Sequence, residues 1–251
     1  MTNWTNKAAI GRWAAMPRAV LADMAADGDF SKRHLVNPVL LRMLGDVRGR
    51  RVLDAGCGNG YLSRMLARAG AHVTGVEPAA ALFEFAADTE RAEPLGIRYL
   101  QEDLSDLAGR QPLDAYGPFD AVVASMVLPA IPDWTTAMSA CVAQVRPGGR
   151  FVFSVIHPCF EQLASTWREH GHYQLGEYLA EYPIDERYAT DFHRPLSAYL
   201  NEVAKLGCRI TEVAEPGLDQ AAAEADPSSY PGGEHPYVHL PNFLIVAADR
   251  L

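Results

Sequence analysis

The sequence predicts a three-layer α/β protein, one seven-stranded sheet with helices on both faces, and three observations carry that prediction. An apolar strand, residues 51–55, runs straight into Gly56-Cys57-Gly58-Asn59-Gly60, and a helix opens at Tyr61. Strand and helix patterns then alternate as far as residue 156, the order that gives a largely parallel sheet. A helix from residue 196 is followed by two last strand patterns, 208–214 and about 242–248, which finish the sheet.

Residues 1–50 read as a helical preface. Trp4, Trp13 and the stretch from Arg18 to Met24 mark short helices, and Asn37 before Pro38 reads as a cap and first turn. Val39, Leu40, Met43 and Leu44 are expected to face the sheet, with Gly45 and Gly49 breaking the helix. The polar segment Asp29–His34 reads as a solvated loop. After the glycine turn, Tyr61, Leu62, Met65, Leu66 and Ala69 recur at helical spacing, and Gly70 is placed to stop that helix.

The second strand, 72–76, ends in Glu77; the third, 97–101, ends in Glu102-Asp103-Leu104. The fourth, 119–124, leads to Ser125-Met126, a helix from Asp133 and the turn Arg146-Pro147-Gly148-Gly149. The fifth, 151–156, leads to His157-Pro158-Cys159-Phe160. Residues 160–199 then hold eight aromatics in forty, or 20%, against 9% for the chain. Their periodicity is poor, so the segment reads as a lid or insertion, with enough aromatic surface to order. Pro195 starts a helix carrying Leu196, Tyr199, Leu200, Val203 and Leu206 on one face, and residues 215–236 read as a surface loop. The expectation is one domain over 1–251: preface 1–50, core 51–156, lid 157–194, closing elements 195–251.

Glycines at alternate positions let a ligand approach the backbone, because no Cβ intervenes. An acid at the tip of the second strand is what a doubly wound sheet uses to accept from a ribose diol. The dinucleotide fingerprint Gly-x-Gly-x-x-Gly would place its third glycine one residue later than Gly60. The variant here resembles the first motif of class I S-adenosylmethionine-dependent methyltransferases, and Pro147-Gly148-Gly149 resembles the turn that family carries before strand five. The resemblance covers residues 51–156. It implies a Rossmann-like sheet with an antiparallel last strand and a preface over the cofactor cleft. It further implies a loop that holds the methionine end of the cofactor, an Asp103 that accepts from the adenine amino group and a Leu104 amide that donates to the ring. The cofactor set it implies is Asp54, Gly56, Cys57, Gly58, Asn59, Glu77, Pro78, Asp103, Leu104 and Ser125. A Lys or Arg of segment 29–34 is an alternative partner for the cofactor carboxylate.

Composition narrows the acceptor. The chain has 22 basic and 31 acidic residues, a net charge of −9 and no basic run, so a nucleic acid is disfavoured and a small molecule favoured. No apolar run reaches the roughly 18 residues that cross a bilayer, and the first residues lack a signal-peptide pattern. Four dispersed cysteines fit reduced thiols. A cytoplasmic monomer or homodimer that touches no membrane is expected.

His157, just past the fifth strand, is the first candidate general base, and a turn-fixing histidine is its alternative. His193 is the second, with a helix cap as its alternative. His235 and His239 lack a carboxylate at metal-ligand spacing, so no metal site is expected. Cys57 reads as a space-filler in the loop, and Cys159 as a poor nucleophile candidate. The expected reaction is methyl transfer to an aromatic or amphipathic metabolite, O-methylation ahead of N- and C-methylation, in the manner of quinone-biosynthesis and natural-product enzymes. A cofactor-assisted cyclisation and a nicotinamide-dependent oxidoreductase are the alternatives.

Overall fold

The central strand of the sheet shows why these residues fold as they do. Ala121, Val122, Val123 and Ala124 are all fully buried, as a parallel strand covered on both faces must be. Their side chains alternate between two cores. Val122 and Ala124 join Phe151, Phe153, Trp134 and Tyr199 on one face, while Ala121 and Val123 join Leu40, Leu62, Leu66 and Leu163 on the other.

The computed structural model describes residues 4–23, 27–109, 117–225, 230 and 233–251. The sheet strands are β1 (Arg51–Ala55), β2 (His72–Val76), β3 (Arg98–Leu100), β4 (Phe119–Ser125), β5 (Val145–Ile156), β8 (Cys208–Ala214) and β9 (Phe243–Arg250), with β6 (Tyr182–Asp185) and β7 (Thr190–His193) forming a separate hairpin. Their order is β3-β2-β1-β4-β5-β9-β8. The first five are parallel; β9 is antiparallel to both β5 and β8. Helices α3 (Asn37–Leu44), α4 (Tyr61–Arg68) and α7 (Leu163–His170) cover one face, and α6 (Trp134–Gln144) and α8 (Leu196–Lys205) the other. At the cleft end, α1 (Asn6–Ala14) and α2 (Arg18–Asp23) pack on α5 (Ala80–Ala92) through Ile10, Trp13, Leu21 and Leu82. A short α9 (Gln220–Ala225) lies between β8 and β9.

Five local expectations are corrected. Asn37 does not cap α3: a π-helical turn, Lys32–Val36, runs directly into it. Its amide instead donates to Asp27 O (2.6 Å) and its carbonyl accepts from the Tyr61 hydroxyl (3.2 Å). For the same reason segment 29–34 is a helical turn rather than a loop. Met24, expected in the second helix, lies outside the described residues. The Arg146–Gly149 turn falls inside β5, with a register shift opposite Phe119–Ala121. Segment 160–199 contains α7 and the hairpin; elements of eight and four residues are too short to print a period. In segment 215–236, Leu218, His235 and Pro236 are buried, and Leu218 N–H donates to Tyr237 O (2.7 Å); residues 226–229 and 231–232 lie outside the described residues.

Candidate active site

The cleft begins at the turn after β1. Gly56, Gly58 and Gly60 all take positive φ (71°, 57° and 77°), which L side chains rarely adopt. The positions differ in what surrounds them. A Cβ on Gly56 would lie 2.5 Å from Val127, so that glycine lets the loop pack on the turn after β4. A Cβ on Gly58 would find only Leu82, at 3.6 Å, and would project beside open space. Gly56 and Cys57 N–H groups both donate to Val76 O, which ties the loop to the end of β2.

Glu77 sits at that strand end. One carboxylate oxygen accepts from Gly58 N–H (3.0 Å) and the other from Ala79 N–H (2.8 Å). Burial pushes its carboxyl up to about 7, against the pull of those two amides. Asp103, after β3, accepts from Ser105 N–H (2.9 Å) and lines the cleft. After β4 the chain turns sharply. Met126 adopts φ 60°, held by its N–H to Ser154 O (3.0 Å) and Ser154 Oγ (3.1 Å), while Ser125 Oγ and Ser154 Oγ lie 3.2 Å apart.

These elements line one cleft at the carboxyl ends of the strands, where the strand order reverses between β1 and β4. Open α/β sheets hold their ligands at that place. Nine of the ten cofactor residues expected from sequence line it: Gly56, Cys57, Gly58, Asn59, Glu77, Pro78, Asp103, Leu104 and Ser125. Asp54 is the exception. It lies below the loop, buried, accepting from Ser63 Oγ at 2.6 Å, and burial raises its carboxyl to about 6. Cys57 lines the cleft with a buried thiol, pushed well above the usual range by burial. Sequence reasoning missed Tyr61, Leu82 and the wall from Met126 to Pro132. It foresaw a covering preface but not its residues, which are Asn6, Ala9, Ile10 and Trp13 of α1. Lys32, in the segment read first as a solvated loop and alternatively as a source of a cofactor-carboxylate partner, also lines the cleft, with Nζ 2.7 Å from Asp29.

The two histidines are placed elsewhere. His157 is buried; Nδ1 accepts from Cys159 N–H (3.1 Å), so Nε2 carries the proton and donates to Glu215 (2.6 Å). Its backbone N–H donates to Asn242 O, which joins the ends of β5 and β9. His193 is fully buried between Glu161 (Nδ1, 2.6 Å) and Tyr178 O (Nε2, 2.8 Å), and its ring stacks on Tyr182. It caps no helix. Neither histidine lines the cleft. Among the described residues, no helix is long and apolar enough to cross a membrane.

The donor set fits S-adenosylmethionine: a glycine turn with room beside Gly58, a buried acid without a cation partner among the described residues, and a second acid one strand over. Comparison with known proteins agrees. Residues 31–194 match the methyltransferase domain family. The ubiquinone biosynthesis O-methyltransferase of Xanthomonas euvesicatoria pv. vesicatoria (strain 85-10) is 36% identical over 183 residues, covering 70% of this chain and 72% of that protein. The crystal structure of an S-adenosylmethionine-dependent methyltransferase from Mesorhizobium loti superposes with a TM-score of 0.71 at 27% identity, covering 90% of this chain and all of that one. For the magnesium protoporphyrin IX methyltransferase of Synechocystis PCC 6803 with bound S-adenosylhomocysteine, the likeness is of fold alone: TM-score 0.58, 18% identity, 98% and 95% covered. A glycine turn and two strand-end acids opening on one cleft thus meet a family match over most of the chain, and the chain belongs to the methyltransferase domain family, as an enzyme that uses S-adenosylmethionine.

Proposed function

We propose that the enzyme transfers the methyl group to an oxygen of a small, flat and largely apolar acceptor bound in this cleft. One arrangement supports the reading most: the glycine turn, Glu77 and Asp103 share a cavity with the apolar surface of Trp13, Met126, Val127 and Ile131. In this reading Glu77 accepts from the ribose diol, while Asp103 and the Leu104 amide hold the adenine edge. The glycine turn carries the amino-acid end and Lys32 takes its carboxylate. The bound cofactor supplies a methyl group activated on a sulfonium. The chain supplies position, and near-attack geometry can be worth roughly 7–11 kcal/mol.

Neither His157 nor His193 takes the acceptor's proton in this proposal, which revises the sequence expectation. Both nitrogens of each ring are engaged inside the protein. A hydroxyl of phenol-like acidity asks least of the chain for that proton. The oxygen preference is supported by the O-methyltransferase relative, and a small acceptor by the net charge of −9.

Calorimetry with S-adenosylhomocysteine and with NAD tests the cofactor end; tight binding of NAD alone overturns it. Labelled S-adenosylmethionine with catechols, hydroxybenzoates and hydroquinones tests the transfer. One S-adenosylhomocysteine released per O-methyl product is the expected result. A methyl group on carbon or nitrogen overturns the oxygen assignment, and product without that release supports a cyclisation.

A further inference from the structure

Segment 157–194 contributes no residue to the cleft lining, yet its hairpin grips two of the cleft's walls. We propose that the β6–β7 hairpin is a buttress that sets how far the cleft opens, with Arg12 and Arg194 as its positioning residues.

The first grip is on the roof. Arg12 lies on α1 between the lining residues Ala9, Ile10 and Trp13 but is not itself one of them. Its guanidinium turns to the hairpin instead, bonding to the Asp185 carboxylate, Thr190 Oγ1 (2.5 Å) and Glu186 O (2.5 Å). Thr190 is fully buried and also donates to Asp185 (2.9 Å), so the receiving site is preorganised. Trp4, just before the helix, meets Phe192 edge-on at 5.8 Å.

The second grip is on the wall. Arg194, one residue past β7, is buried and donates to Leu128 O (3.0 Å) and Ile131 O (2.7 Å), with Pro132 O at 3.4 Å. Its guanidinium lies over Trp134 and Phe192. Phe192 therefore touches both grips. The carbonyls that Arg194 holds belong to the loop whose Ala130, Ile131 and Pro132 face the cleft.

A third tie bypasses the hairpin and shows where opening occurs. Asn6 donates to Ser105 Oγ (2.7 Å) and accepts from Asp133 N–H (3.0 Å), pinning the start of α1 directly. The end carrying Ile10 and Trp13 is held by Arg12 and by apolar packing against Leu21, Ala79 and Leu82, which has no directional bond. The roof is thus hinged at Asn6 and latched at Arg12.

The inference rests on the reading that this cleft holds the cofactor, and the test separates the two. Dissociation of S-adenosylhomocysteine from the full chain is followed by stopped-flow tryptophan fluorescence, with Trp13→Phe identifying the cleft signal. Losing a charge-assisted latch should speed release about tenfold in Arg12→Gln, with Asp185→Asn giving part of that gain. Arg12→Lys should recover part of the slow release, and the melting temperature should fall by no more than about 6 °C if only the latch is lost. Unchanged release in both Arg12→Gln and Asp185→Asn overturns the proposal. So does faster release that only tracks a falling melting temperature, without recovery in Arg12→Lys. Wild-type protein that fails to bind S-adenosylhomocysteine instead overturns the cofactor-site reading. Arg194→Lys is the second variant, expected to speed release less because the ammonium still reaches one carbonyl.

Discussion

The cleft and segment 157–194 each bury ionisable groups, and they treat them in opposite ways. In the cleft, Glu77 is met among the described residues only by backbone amides, and burial leaves its carboxyl near 7. In the other segment, Glu161 is also pushed up to about 7 by burial, but His193 lies 2.6 Å away and pulls against the shift. The imidazole's far nitrogen is used as well, on Tyr178 O. A buried charge without a counter-charge is costly unless a ligand completes it, whereas a buried pair with its remaining valences filled completes itself. The group that looks most catalytic by residue type can therefore be the structural one. The acid with unfilled capacity marks the site.

Breaking the self-sufficient pair should have the largest effect. His193→Ala leaves Glu161 buried without its partner and should cost about 3–5 kcal/mol of stability, read by urea unfolding. Affinity for S-adenosylhomocysteine at a temperature where the variant is folded should change little. A variant that is as stable as wild type but inactive would reverse the comparison and return His193 to the chemistry.

Glu77→Gln comes next, and it sharpens the comparison by pH. Ribose hydroxyls donate best to an ionised carboxylate, so wild-type affinity for S-adenosylhomocysteine should rise as pH increases through about 7. Stability of the unliganded protein moves the other way. The folded carboxyl holds its proton to higher pH than the unfolded one, so its contribution is present below the unfolded value near 4.5 and is lost as pH rises through about 7. Glu77→Gln should weaken binding by about 1–3 kcal/mol at pH 8 and flatten both profiles. Calorimetry across pH 6–8 reads the first and thermal melts the second; an unchanged slope in the variant would remove Glu77 from the site.

His157→Ala probes the sequence's first choice of base. Loss of its bonds to Cys159 N–H and Glu215 should cost about 1–2 kcal/mol of stability, with cofactor affinity intact. Turnover at a temperature well below the melt should be near wild type. A turnover loss of about a hundredfold or more in a stable variant would instead fit a general base.

What the sequence revealed, and what it hid, follows the range of the interactions involved. The glycine turn, Glu77 and Asp103 were legible because strand ends and turns are set by near neighbours, and a parallel sheet carries all those ends to one edge. Asp54 falls outside the cleft lining because its carboxylate is taken up by Ser63, nine residues on in α4 beyond the glycine turn. For His157 the sequence left a base and a turn-fixing histidine both open, because the groups that engage it, Glu215 just after β8 and Asn242 just before β9, lie far along the chain. The hairpin escaped notice because its four-residue strands include Pro183 and carry no clean alternation. The helical turn at Lys32 was hidden by the polarity of Asp29–His34, although Leu35 and Val36 beyond it are fully buried.

Met126→Gly should move stability least and is the finest test of the contrast between the two regions. Holding a side chain at φ 60° costs on the order of 1–2 kcal/mol, and glycine relieves it. Against that stands the loss of a half-buried thioether that packs against the core holding Leu35, Leu62 and Leu163, about 1–1.5 kcal/mol for partial burial. The two terms nearly cancel, so the melting temperature should stay within about 3 °C of wild type. Function should not be spared to the same degree. Met126 lines the cleft and belongs to the wall proposed for the acceptor, so its removal should broaden the range of hydroxylated aromatics turned over, scored by product ratios across a panel. Stability that drops sharply while the product ratios hold would show Met126 to be a core residue of the same kind as His193, and the proposed wall of the acceptor site would have to be drawn elsewhere.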